Sequence, residues 1–80
     1  MKLNLKTQGF GFEVSTVELP KGYMEAKIGS FETMVMGYKG EWLDYQERYH
    51  TLIDAVNGHC KAITFVKELY EKEINEAKMR

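Results

Sequence analysis

An α+β fold is expected from three observations. Hydrophobic period changes near residue 50, turn residues punctuate the first fifty positions, and one helical stripe runs through the last thirty. Before residue 50 apolar side chains recur at every second position, and after it at about every 3.6. The expected architecture is an antiparallel meander of four or five strands over about residues 2–50. It packs on one long C-terminal helix over about 52–78, in a single domain spanning 1–80.

The elements follow in order. KLNLKT alternates with Leu3 and Leu5 on one side, and Gln8-Gly9 breaks it. FGFEVSTVEL alternates Phe10, Phe12 and Val14, then shifts phase near Ser15-Thr16, which suggests a bulge or a tight turn. Pro20-Lys21-Gly22 is a turn, because Pro presets φ and Gly accepts positive φ. YMEAKI reads as a further short strand closed by Gly29-Ser30. FETMVMG and EWLDYQERY form two stronger strands around a hairpin at Tyr38-Lys39-Gly40. The strand methionines Met24, Met34 and Met36 are expected to fill core gaps beside the helix.

Thr51, with Asp54 three residues on, resembles a capping box that opens the helix. From there Leu52, Val56, His59, Ile63, Val66, Tyr70, Ile74 and Ala77 lie within about 40° of one direction. The stripe keeps phase across Gly58, so one continuous helix of about 40 Å is favoured over a break there. Its last turns would overhang the sheet and offer Tyr70 and Ile74 to a second chain. A homodimer or higher homo-oligomer through this helix is therefore expected.

Composition excludes several function classes. The 11 basic and 12 acidic residues are spread evenly, six and seven before residue 51 and five of each after it. That balance gives no footprint for nucleic-acid binding and no acidity typical of a DNA mimic. No apolar run suits a membrane span or a leader, so no membrane partner is expected and the chain reads as cytoplasmic. Lone Cys60 fits a reducing compartment.

The stretch RYHTLIDAVNGHC holds both histidines and the cysteine. His50 and His59 stand about 12 Å apart along the chain and Cys60 is turned about 100° from His59, so no metal set forms and no cofactor is expected. His59 is also poorly placed to activate the Cys60 thiol, which reads as a small core residue. The carboxylates Glu41, Asp44 and Glu47 alternate faces of a strand and make no acid–base pair. GFGF at 9–12 lacks the third glycine and the helix of a dinucleotide fingerprint.

Two candidates remain. His59 occupies the middle of the apolar stripe, either as a packed histidine whose ring nitrogens meet a strand backbone or a tyrosine hydroxyl, or as an imidazole facing a ligand. Gly58 beside it costs the helix about 1 kcal/mol relative to Ala, as close backbone approach would require. The helix start is the second: Arg48, Tyr45, Tyr49 and the N–H groups after Thr51 could hold an anionic, ring-bearing ligand. The plainer reading pairs Arg48 with Glu47 or Glu32.

Three strings carry a resemblance: ETMVMG at 32–37, RYHT at 48–51, and Ala55, Gly58-His59 and Ala62 in the helix. They resemble short, uncharacterised bacteriophage proteins that share an ETMV-x-G strand, an RY-x-T strand end and an A-x-x-GH helix. The resemblance covers residues 32 to about 66 and groups Arg48, Tyr49, Thr51, Gly58 and His59 into one motif. It implies an accessory role in the host cytoplasm. The expected function is a non-enzymatic protein that binds and modulates a host protein, one of its defences included. The alternatives are an oligomeric binder sequestering a small anionic, nucleotide-like signal, and a metal- or Cys/His-dependent enzyme.

Overall fold

The computed structural model describes residues 3–20 and 30–78. Strands β1 (Asn4–Gly9), β2 (Phe12–Glu18), β3 (Phe31–Met36) and β4 (Trp42–Tyr49) form one antiparallel sheet in the order β1-β2-β3-β4. The long helix α1 (Leu52–Lys78), the one helix among the described residues, covers one face of it. The expected strand YMEAKI, with Met24 and most of the turn before it, lies outside the described residues.

The first hairpin turns at Phe10-Gly11, two residues later than the break expected at Gln8-Gly9. Both turn residues have positive φ, 55° and 81°, the backbone of a type I′ turn. Phe is not a residue that advertises such a turn, which is why alternation alone carried the strand through it. The second hairpin closes through Gly37 N–H to Glu41 O (2.7 Å) and Gly40 N–H to Gly37 O (3.0 Å), with Gly40 at φ 81°.

Strand β2 is regular along its length and has no bulge at Ser15-Thr16. The phase does not shift there. Phe12, Val14 and Thr16 continue the buried face, and a threonine simply stands where a hydrophobe was expected. The irregularity falls instead between β3 and β4, at Met34–Met36. Met34 and Met36 point away from α1, because Thr33 and Val35 take the buried positions of that strand. They therefore do not fill gaps beside the helix.

The helix is unbroken through Gly58. Its buried residues are Ala55, Gly58, His59, Ala62 and Val66, with Ile63, Phe65 and Leu69 partly covered. That arc is rotated about 70° from the stripe of large apolar residues. Small residues face the sheet so that the axis can come close, and Leu52 (55% exposed) and Val56 are left on the flank. Cys60, expected in the core, is exposed for the same reason. The core comprises Phe12, Val14, Val35, Ala62 and Val66. Past Tyr70, which meets the first hairpin turn, eight more residues of about 12 Å overhang the sheet, and the molecule measures 50 × 22 × 22 Å.

Candidate functional site

Strand alternation divides the helix-start cluster between the two faces of the sheet. Arg48 lies on the face away from α1, where its Nη2 meets Glu32 Oε2 at 2.7 Å. Gln46 donates to the same carboxylate oxygen from the neighbouring position. Arg48 Nη1 is buried with no hydrogen-bond partner among the described residues. Tyr45 and Tyr49 lie on the opposite, helix-facing side. Tyr45 packs on Phe65 with ring centroids 4.8 Å apart. Tyr49 lies directly over Gly58, where its ring fills the space a Cβ would need. Burial, followed by neighbouring acidic groups, raises both phenols above the usual tyrosine value.

Thr51 serves the helix itself. Its Oγ1 accepts from Asp54 N–H at 3.1 Å, and its carbonyl accepts the first helical bond from Ala55 N–H at 3.0 Å. Tyr45, Tyr49 and Gly58 are thus brought together, and Arg48 is separated from them by the thickness of the sheet.

His59 is buried at the seam between sheet and helix, with both ring nitrogens engaged. Nε2 is bonded to Thr7 Oγ1 at 2.9 Å and Nδ1 to Thr16 Oγ1 at 2.7 Å. Thr16 Oγ1 is bonded in turn to Thr33 Oγ1 at 2.6 Å. A neutral imidazole has one donor and one acceptor nitrogen, so it completes this chain in either tautomer. Burial lowers its pKa, which keeps the ring neutral. The expected partners, a strand backbone or a tyrosine hydroxyl, are replaced by the side-chain hydroxyls of two strand threonines. Buried hydroxyls at positions 16 and 33 are each unremarkable alone; the meander that registers Thr16 against Thr33 makes them a network. Among the described residues no group of three His, Cys, Asp or Glu side chains is placed to hold a metal ion.

A further feature lies at the other end of the sheet, where both hairpin turns converge. A cleft of about 430 Å³ opens between them, lined by Gln8, Phe12, Glu13, Met36 and Tyr38 with the glycines of the turns. Gln8 Nε2 donates to Glu13 Oε1 at 3.0 Å on its rim. Tyr38 is 64% exposed and meets Phe12 edge-to-face, with ring centroids 6.4 Å apart. Trp42, opposite Met36, is 54% exposed. Lys39 Nζ lies 5.7 Å from the Tyr38 ring centroid. Residue order could have located this end. In a meander the first and third turns must share one edge of the sheet, and both turns here are flanked by aromatics.

No protein-family model, no curated protein and no solved structure matches this chain. No helix among the described residues is long and apolar enough to cross a membrane.

Proposed function

We propose that this chain is a binding protein without chemistry of its own, acting by docking its hairpin-turn end on another protein. The observation that carries this reading is the cleft lined by exposed Tyr38, with exposed Trp42 paired to Met36 of its lining. Aromatic rings at the edge of a concave, partly apolar site are the side chains that dominate protein interfaces. The cleft suits a basic side chain of the partner. Its methylenes would lie along Phe12 and Met36, and its cation would reach Glu13. The bacteriophage resemblance makes that partner a host protein.

The test is quantitative capture of the partner by wild type and by Tyr38→Ala, Trp42→Ala and Glu13→Gln. Loss of capture in all three, with melting temperatures unchanged, is the expected result. Full capture by all three would overturn the placement.

A second reading, an oligomeric binder of a small anionic ligand, rests on one observation: the buried Nη1 of Arg48, which has no hydrogen-bond partner among the described residues. A melting-temperature rise with nucleotides, abolished in Arg48→Ala, would favour it over protein binding.

A further inference from the structure

The two edges of the sheet differ in how they are guarded. Strand β4 is distorted at its bulge and carries exposed Asp44, Gln46 and Glu47, which discourage pairing. Strand β1 is six regular residues without proline, and no strand pairs with its outer edge among the described residues. Its backbone polarity follows from its ladder. Glu18 N–H donates to Leu3 O at 3.0 Å, and bonded pairs recur every second residue of an antiparallel ladder. Leu3, Leu5, Thr7 and Gly9 therefore aim their backbone groups at β2. Asn4, Lys6 and Gln8 aim theirs outward.

We propose that two copies of this chain join β1 to β1, antiparallel, about a two-fold axis at Thr7. A strand can meet its own copy only with residues of one face opposite one another, which leaves two central registers. An axis at Lys6 sets Lys6 against Lys6, a repulsive pair. An axis at Thr7 sets Lys6 across from the neutral Gln8 of the second copy. It also sets Leu5 opposite Gly9, where there is room for it. Charge selects the second register. On the helix side, Leu52 and Val56 are exposed and Ile63 is half-buried on the flank that helical phase turns toward β1, above a hollow of about 70 Å³ lined by Thr7, Phe10 and Ile63. Joining the edges turns these flanks toward each other. The hairpin-turn clefts then point in opposite directions, one at each end of an eight-stranded sheet.

Sedimentation equilibrium of the full chain should give twice 9.3 kDa. Lys6→Pro removes an outward N–H and leaves the β1–β2 ladder whole, so it should give a monomer with an unchanged circular dichroism spectrum. The register is read separately with Thr7→Cys in a Cys60→Ser background. Thr7 faces its copy in a non-bonded pair, where the Cβ atoms come close enough for a disulfide, so this variant should crosslink on oxidation and Lys6→Cys should not. A monomeric wild type, or a dimer that survives Lys6→Pro, would overturn the proposal. If Lys6→Pro fails to fold, absence of the Thr7→Cys crosslink would overturn it in its place.

Discussion

At the β4 side of the sheet the helix is held by rings, and at the β1 side by hydroxyls. Tyr45 packs on Phe65 and Tyr49 on the bare backbone of Gly58, a contact that requires a glycine. On the other side Thr7 and Thr16 hold His59 by hydrogen bonds, and the apolar flank of the helix stands partly open. Ring packing is non-directional and tolerates small shifts until atoms collide. A hydroxyl–imidazole chain fixes the helix's rotation and height, since each bond tolerates only a few tenths of an ångström. The two contacts together explain why the helix presents its small residues to the sheet and its large ones to the side.

The ring side should fail on the addition of a single methyl. Gly58→Ala gains about 1 kcal/mol of helix propensity, but its methyl enters the Tyr49 ring, and overpacking of this kind costs about 1–3 kcal/mol. A net loss of up to about 2 kcal/mol in urea unfolding is expected. In a Tyr49→Ala background the same change should become stabilising by about 1 kcal/mol. A substitution that stays destabilising without the ring would remove the close-approach account of Gly58.

The hydroxyl side should follow. Thr16→Val strips His59 Nδ1 and Thr33 of a shared partner inside the core. Leaving buried polar groups unpaired costs about 1–3 kcal/mol, so a loss near 2 kcal/mol is expected. Replacing both members with apolar residues, Thr16→Val with His59→Leu, should recover part of that loss. A strictly additive double variant would mean that the chain of bonds contributes nothing as a unit.

These two sides were unequally legible in the sequence. The period change marks the sheet, the long C-terminal helix and its cap at Thr51, because those depend on local spacing. The helix rotation was misread, because periodicity weights large apolar residues, whereas the buried arc is chosen by Ala55, Gly58 and Ala62, which weigh little. His59 was singled out rightly as anomalous, yet its partners at Thr7 and Thr16 are 52 and 43 residues away, beyond any local signal. The apparent phase shift at Thr16 was in fact the mark of that network. Arg48 and Tyr49 were grouped by adjacency, which in a strand places them on opposite faces.

A smaller effect distinguishes the sides by pH. His59 has its folded pKa below the unfolded value of about 6.5, because burial disfavours the cation. Above about pH 6.5 both states are neutral and the stability it supports is complete. As pH falls, the unfolded chain takes up the proton first, so stability declines from there down through the folded pKa. His59→Leu should flatten this part of the stability–pH curve. A curve with the same slope in His59→Leu would assign the acid sensitivity elsewhere.

The smallest expected change concerns the tip of the β1 side. Phe10 sits at φ 55°, a left-handed backbone that costs a residue with a Cβ about 1–2 kcal/mol, and asparagine adopts it more readily. Its ring stacks on Tyr70 with centroids 5.2 Å apart, an arrangement worth about 0.5–1.5 kcal/mol beyond the area it covers. Phe10→Asn removes both terms together with the area the ring covers, so a small net loss of stability is expected. The two parts separate in a cycle: with Tyr70→Ala already in place the stack is gone, and Phe10→Asn should then stabilise by about 1 kcal/mol. A loss of stability in that background would mean that the turn prefers phenylalanine for reasons other than Tyr70. A gain would make the Phe10–Tyr70 contact the reason that this hairpin tolerates an unfavourable residue, tying the position of the first turn to the helix rather than to its own sequence.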